Sequence, residues 1–120
     1  MNRLLSLSFA LLLTAAPAAL VACGSPGHSA SVDGAEAHAL VAAGATLVDV
    51  RTPDEWQGGH VEGAVLIPIS ELQGRLAEIP RDKPVVVYCA SGARSARAAA
   101  TLSAAGYDAR DLGGMSNWGG

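Results

Sequence analysis

Aromatic and charged residues are scarce in this chain. Phe, Trp and Tyr together make up 4% of its 120 residues, and charged residues make up 16%. The sequence has no run of basic residues and no alternation of basic with aromatic side chains, so we expect no nucleic acid as a partner. Half of the residues are apolar and the formal net charge is −3. The core of one small domain must therefore be built from Val, Leu, Ile and Ala.

Cysteine is also rare, because only Cys23 and Cys89 are present. Two cysteines cannot build the multiple disulfides that hold many small secreted domains together. The two cysteines and three histidines are scattered and lack the spacing of metal ligands. We therefore predict neither a metal nor a cofactor.

The first 22 residues are typical of an export signal. Arg3 supplies a positive start, residues 4–22 form an uncharged and mostly apolar run, and small residues precede Cys23. The ending Leu20-Val21-Ala22-Cys23 resembles the bacterial lipobox, whose cysteine is acylated. We predict a lipoprotein-type signal peptide over 1–22, lipidation of Cys23, and membrane anchoring in the cell envelope or periplasm. A plain secretory signal and an uncleaved anchor are the alternatives.

Residues 23–31 are rich in Gly, Ser and Pro, which predicts a flexible tether before a single domain over 32–120. Helical and strand patterns alternate through that domain. Helices are predicted near 34–43, 70–79 and 94–105, and strands near 46–50, 64–67, 85–88 and 107–112. The strands are apolar without alternation, so both of their faces should be buried. We predict an α/β fold with a parallel sheet of about four to five strands and helices on both faces.

Cys89 follows the strongest strand pattern, at the start of a turn of small residues. Ligands of parallel sheets bind beyond the carboxyl ends of the strands. Backbone N–H groups of a tight turn, and the positive end of the following helix, favour a negative charge at such a place. A cysteine there can have a lowered pKa and act as a nucleophile. A cysteine that only fills the core is the alternative.

Several short segments, taken together in order and spacing, carry a family resemblance. They are Val48-Asp49-Val50-Arg51, Glu55-Trp56, Gly59-His60-Val61-Glu62-Gly63-Ala64, Ile67-Pro68, Val86-Val87-Tyr88-Cys89-Ala90-Ser91-Gly92-Ala93-Arg94-Ser95, Gly106-Tyr107, Leu112-Gly113-Gly114 and Trp118. The set resembles a single-domain rhodanese, a rhodanese-like sulfurtransferase, over residues 32–118.

The resemblance implies that a sulfane sulfur moves from thiosulfate or a persulfide donor to a thiol or cyanide acceptor, through a persulfide on Cys89. It also implies that the small anionic substrate is bound by Ala90, Ser91, Gly92, Ala93, Arg94 and Ser95. The turn's amides would hold the persulfide charge, and Arg94 would attract the donor. Ser91 and Ser95 would either donate to the persulfide or cap the helix.

Three further charged residues are candidate supporting residues, namely Asp49, Arg51 and Arg97. We expect a structural ion pair as the main role of the first two. Many thiosulfate-using rhodaneses carry a basic residue directly after the cysteine, where this chain has Ala90. A persulfide or polysulfide donor is therefore compatible as well.

Two other functions are compatible with a fold of this kind. A non-catalytic sulfur carrier or binding module would keep the domain without turnover. A phosphatase is not expected, because Arg94 stands five positions after Cys89, one position short of the arginine in cysteine phosphatases of similar fold. Nothing in the sequence indicates more than a monomer.

Overall fold

The computed structural model describes residues 27–119, which form a five-stranded parallel sheet with helices between the strands. The strands are β1 (His28–Ser31), β2 (Thr46–Asp49), β3 (Val65–Leu66), β4 (Val85–Cys89) and β5 (Asp108–Gly114), in the spatial order β1-β5-β4-β2-β3. The helices are α1 (Gly34–Ala42), α2 (Pro53–Gln57), α3 (Ile69–Leu72) and α4 (Ala93–Ala104), with 3₁₀ segments at Gln73–Glu78 and Met115–Trp118. Every pairing is parallel, so the predicted α/β fold is confirmed.

Strand β4 is buried along its whole length and separates two apolar layers. Val87 and Cys89 face the layer covered by α3 and α4, whereas Val86 and Tyr88 face the layer covered by α1. Successive side chains of a strand point to opposite faces, which explains the division. Helices therefore cover both faces of the sheet, as predicted. Cys89 and Tyr88 stand side by side at the carboxyl edge but point in opposite directions.

Side-chain caps begin two of the helices. Asp33 accepts the Glu36 N–H at 2.8 Å and begins α1, as its position predicts. Thr52 and Glu55 form a capping box at the start of α2. The box fixes the Glu55 carboxylate at the start of α2, on the side of β2 where the parallel strands end.

The predicted continuous helix over 70–79 is wrong. Helix α3 ends at Leu72, and the 3₁₀ segment Gln73–Glu78 follows it. The N-cap of α3 is Pro68, and no side chain accepts a hydrogen bond there. Gly74 within the stretch further weakens a continuous helix, because glycine loses more backbone entropy than other residues.

The tether predicted over 23–31 is wrong for its last four residues, which form the edge strand β1. This strand pairs with β5 from His28↔Asp108 to Ser31↔Asp111. Backbone groups make the hydrogen bonds of this pairing, and one side of an edge strand is exposed to water. The polar side chains of this segment therefore did not indicate a strand. Strand β5 also runs beyond its predicted end through Gly113 and Gly114, with an irregular register opposite Val87 and Tyr88.

The predicted signal peptide over 1–22, the lipidation site Cys23 and the first part of the tether lie outside the described residues. None of the helices found between residues 27 and 119 has the length and apolar character needed to cross a membrane.

Candidate active site

Cys89 is the last residue of β4, and residues 90–92 turn the chain into α4. Gly92 is the N-cap of α4 and has a φ of 108°, a backbone conformation that glycine adopts without a side-chain clash. Its N–H points back at the cysteine, with 2.9 Å between the Gly92 nitrogen and Cys89 Sγ. The strand, the turn and the helix therefore surround the sulfur with backbone on the side away from the core.

Opposing effects set the pKa of the Cys89 thiol. Burial raises this pKa, because a thiolate in the core loses its hydration. Hydrogen bonds from the Ser95 side chain, and from the backbone of Ser95, Gly92 and Ser91, lower it and prevail. The net pKa lies below the ordinary value, so the site favours the thiolate, which is the nucleophilic form.

Ser95 is fully buried beside the sulfur and has one hydroxyl proton to donate. Its Oγ also lies 3.0 Å from the Gly92 carbonyl oxygen, so the hydroxyl has two competing acceptors. The alternative that Ser91 or Ser95 caps the helix is wrong, because no side chain makes the cap hydrogen bond of α4. The N-cap is Gly92, which has a left-handed backbone conformation, and its backbone N–H donates to Cys89 Sγ.

Cys89 itself is fully buried, and its side chain also contacts the apolar layer beneath α4. On the solvent side, the covering residues Ala90, Ser91 and Ala93 are exposed. On the β5 side, a Cβ at Gly114 would lie 2.8 Å from the Ala90 carbonyl oxygen, so a residue larger than glycine does not fit without a shift of the loop. The loop after Cys89 therefore packs tightly against the end of β5.

Arg94, the predicted anion-binding side chain, is held by Glu55 of α2. The Nη1–Oε1 distance is 2.6 Å and the Nη2–Oε2 distance is 2.9 Å. The hydrogen bonds from Arg94 are the largest cause that lowers the pKa of Glu55 to about 2, and the same contact raises the pKa of Arg94. Both side chains are therefore charged near neutral pH, and their charges oppose each other beside the loop.

No role for Glu55 in the site follows from the sequence, because 39 residues separate it from Arg94. A local signal was present nonetheless. The pattern Thr52-Pro53-Asp54-Glu55 is that of a capping box, and Glu55 Oε1 accepts the Thr52 N–H at 3.2 Å. That signal places the carboxylate on α2, but only the folded chain brings it to α4.

Asp49 and Arg51 pair with each other rather than with a charge of the loop or of α4. Both are buried, and Arg51 Nη2 lies 2.7 Å from Asp49 Oδ2. The same nitrogen donates to the Gly59 carbonyl at 2.7 Å. The guanidinium lies 5.7 Å from the ring centre of Tyr88, whose side chain leaves the sheet on the face opposite Cys89. The pair thus braces the chain after β2, in agreement with the structural role expected for it.

Arg97, the third candidate supporting residue, is exposed on α4 one helical turn after Arg94. It makes none of the contacts described for Cys89. Arg94, in contrast, interacts with Cys89 through its charge, because the Cys89 thiolate contributes to the raised pKa of Arg94. Of the two arginines of this helix, Arg94 is therefore the one that belongs to the site.

A separate groove of about 360 Å³ opens at the carboxyl edge of the sheet, and Cys89 is not among its lining residues. The lining residues are His60, Val61, Glu62, Met115, Ser116, Trp118 and Gly119. The ring of His60 stacks on Trp56 with 3.5 Å between the centres, and Trp118 stacks on His38 of α1 at 3.6 Å. Trp118 therefore packs the end of the domain and does not contact the sulfur.

A parallel sheet whose central strand ends in a cysteine, a backbone turn and a helix N-terminus is the arrangement expected of a rhodanese-like domain. The family model of the rhodanese-like domain matches residues 33–120, and the chain belongs to this family. The rhodanese-like domain inferred from the sequence is confirmed.

Among relatives, the chain is 49% identical over 80 residues to the uncharacterized protein YqhL of Bacillus subtilis, covering 63% of this chain and 62% of the relative. It is 40% identical over 73 residues to the thiosulfate sulfurtransferase PspE of Escherichia coli, covering 58% of this chain and 70% of the relative. The rhodanese-related protein from Thermoplasma volcanium superposes with a TM-score of 0.65 at 36% identity, covering 76% of this chain and 89% of that one. The chain thus spans less than two thirds of YqhL.

Proposed function

We propose that this protein is a sulfurtransferase, which moves a sulfane sulfur from thiosulfate or a persulfide donor to a thiol or cyanide acceptor through a persulfide on Cys89. The observation that carries the proposal is the Gly92 N–H donated to Cys89 Sγ at 2.9 Å, at the amino end of α4. The lowered pKa of the thiol supports the same reading. The similarity to the thiosulfate sulfurtransferase PspE makes thiosulfate a reasonable first donor to test.

In the first step, the Cys89 thiolate attacks the outer sulfur of thiosulfate. A bond forms between Sγ and that sulfur, the sulfur–sulfur bond of thiosulfate breaks, and sulfite leaves with the bonding electron pair. The terminal sulfur of the resulting persulfide carries the negative charge. The backbone N–H groups of Ser91, Gly92 and Ser95, which act on the thiol, would stabilise that charge as well, as donors do in an oxyanion hole.

In the second step, the thiolate of an acceptor attacks the outer sulfur of the persulfide. The acceptor gains that sulfur, and Cys89 leaves again as a thiolate, stabilised by the same hydrogen bonds from Gly92 and Ser95. The two steps balance without an external oxidant or reductant. Cyanide can replace the thiol as acceptor. It then takes the outer sulfur of the persulfide and leaves as thiocyanate.

A mass measurement tests this proposal. The full chain carrying Cys23→Ser, purified in mild detergent, keeps Cys89 as its single thiol. Incubation with thiosulfate, and separately with a small persulfide, should add the mass of one sulfur atom. A thiol or cyanide should then remove it. The same chain with Cys89→Ser should gain nothing.

The alternatives give different results in that experiment. A sulfur adduct that neither thiols nor cyanide discharge would indicate a carrier without turnover. No adduct with any sulfane donor would indicate a binding module and would refute the enzyme. Hydrolysis of an aryl phosphate is not expected, since Ser95 rather than arginine stands six positions after Cys89.

We further propose that the protein is exported and held at a membrane of the cell envelope by a lipid on Cys23. The support for this location is the apolar run over 4–22 and the small residues before that cysteine. In a bacterial host, a labelled fatty acid should be incorporated into the chain and the protein should sediment with membranes. Cys23→Ser should lose the label. Label retained in this variant would refute lipidation at Cys23.

A further inference from the structure

Glu55 is held in place from two sides beside the cysteine loop. Its carboxylate makes two charge-assisted hydrogen bonds to Arg94, at 2.6 and 2.9 Å. Its Oε1 also accepts the backbone N–H and the hydroxyl of Thr52, each at 3.2 Å. These contacts keep the carboxylate charged and immobile, and they use both terminal nitrogens of the arginine.

Side-chain charges near the loop therefore cancel in pairs. Arg94 is opposed by Glu55, and the buried Arg51 is opposed by Asp49 at 2.7 Å. The loop residues 90–93 carry no charge at all. Apart from the exposed Arg97 one turn further along α4, what remains to attract an anion is the set of backbone N–H groups and the amino end of α4, which amounts to about half a positive charge. Such a site suits one negative charge better than two.

We propose that Glu55 is a specificity-determining residue, which neutralises Arg94 and thereby makes the Cys89 loop prefer sulfane donors with a single negative charge over the thiosulfate dianion. Glu55 touches no reacting atom in this account, so it is a positioning residue that acts through Arg94. The inference rests on the proposed sulfur transfer and names the donor class, which comprises monoanionic persulfides and thiosulfonates.

Thiosulfate and methanethiosulfonate form a matched pair of donors for the test, because a methyl group replaces one charged oxygen. Thiosulfate gives the Cys89 persulfide and sulfite. Methanethiosulfonate gives the same persulfide and methanesulfinate, which leaves with the electron pair of the broken sulfur–sulfur bond. The ratio of the two kcat/KM values therefore reports how the site responds to one additional charge.

The variant Glu55→Gln removes the opposing charge but keeps an acceptor oxygen for Arg94. In the full chain with Cys23→Ser, the thiosulfate-to-methanethiosulfonate ratio of kcat/KM should rise about fivefold, the effect of one unit charge in a partly solvated site. Most of that rise should come from a lower KM for thiosulfate. Glu55→Asp keeps the charge and should leave the ratio near that of the parent chain.

Glu78→Gln is the matched control for the loss of one carboxylate. Glu78 also pairs with an arginine, Arg75, at 2.7 Å, but it lies in the segment that leads to the amino end of β4, whereas Cys89 stands at the carboxyl end of that strand. Glu78→Gln should leave the thiosulfate-to-methanethiosulfonate ratio of kcat/KM as it is in the parent chain. An equal rise in Glu78→Gln would show that net charge alone is responsible and would overturn the proposal.

The pKa of Cys89 gives a readout that does not depend on turnover. If Glu55 neutralises Arg94, then Glu55→Gln exposes the thiolate to an unopposed cation, and the thiol pKa measured by ultraviolet thiolate absorbance should fall. If Glu55 only holds the loop in shape, its loss should loosen the loop and raise that pKa. A raised or unchanged pKa would overturn the proposal.

The parent chain supplies a test even if Glu55→Gln does not fold. Added salt should change the donor ratio little when the arginine is already neutralised, whereas a steep loss of thiosulfate activity with salt would contradict the proposal. An unchanged ratio in folded Glu55→Gln, with transfer through Cys89 intact, would refute the inference and leave the proposed function standing. Absence of transfer from either donor in the parent chain would refute both.

Discussion

Replacing Ser95 by alanine should make Cys89 a weaker nucleophile at neutral pH. The hydrogen bond from the Ser95 side chain is the largest of the effects that lower the pKa of the thiol, and both residues are fully buried. A hydrogen bond to a charged group contributes about 1.5–3 kcal/mol. Loss of even the lower value would raise the thiol pKa by about one unit, and the thiolate fraction below that pKa would fall accordingly.

The assay is the rate of Cys89 alkylation by iodoacetamide across pH, in the full chain with Cys23→Ser. Ser95→Ala should shift the profile to higher pH, because the folded-state pKa moves back toward its ordinary value. At high pH, where the thiol is ionised in both proteins, the two rates should converge. Ser91→Ala is the control, since its side chain is exposed and its contribution to the pKa comes from its backbone.

One outcome would refute this reasoning. The Ser95 hydroxyl could donate to the Gly92 carbonyl oxygen, 3.0 Å away, and not to the sulfur. Ser95→Ala would then leave the alkylation profile unchanged and lower only the thermal stability, because a partner of that carbonyl is lost. Such a result would leave backbone N–H groups as the sole stabilisers of the thiolate.

Three further predictions concern the surroundings of the loop. Gly114→Ala should lower sulfur transfer more than about tenfold, because the new Cβ would collide with a loop carbonyl 2.8 Å away and displace the amides; unaltered kinetics would contradict the tight fit. Asp49→Ala should destabilise the fold by about 3–5 kcal/mol in urea unfolding, because Arg51 is left buried without its partner; a cost below about 1 kcal/mol would disprove this role. The pKa of the Glu55 carboxylate is lowered to about 2 in the folded chain. This carboxylate therefore stabilises the fold at pH values above the pKa that it has in the unfolded chain, and the contribution is lost as the pH falls toward 2. Acid unfolding of Glu55→Gln should therefore be less steep than in the parent chain, whereas identical acid transitions would show that the contact with Arg94 adds no stability.

Local patterns predicted most of the elements that position the site. The uninterrupted valines before Tyr88 predicted a strand buried on both faces, and β4 is buried at every residue. Small residues after Cys89 predicted the turn, and the alanine-rich stretch after it predicted α4. These properties depend on neighbours in sequence, so they can be read without the fold.

Other features could not be predicted because their partners are distant in sequence. The edge strand β1 has polar residues, and only its pairing with β5 makes it a strand. The need for glycine at position 114 comes from the approach of the Ala90 carbonyl across the sheet. In both cases the decisive neighbour belongs to another element.

By itself, the sequence determined the order of the strands β2 to β5 and of the helices α1 and α4, and it placed the lone domain cysteine, Cys89, at the carboxyl end of a buried strand. It could do so because burial periodicity and turn-forming residues are local properties. Only the tertiary structure decided that Glu55 faces Arg94, and hence that the cation beside the sulfur is neutralised. The reason is that the charge an arginine presents depends on what packs against it, and here the opposing carboxylate comes from a helix 39 residues away.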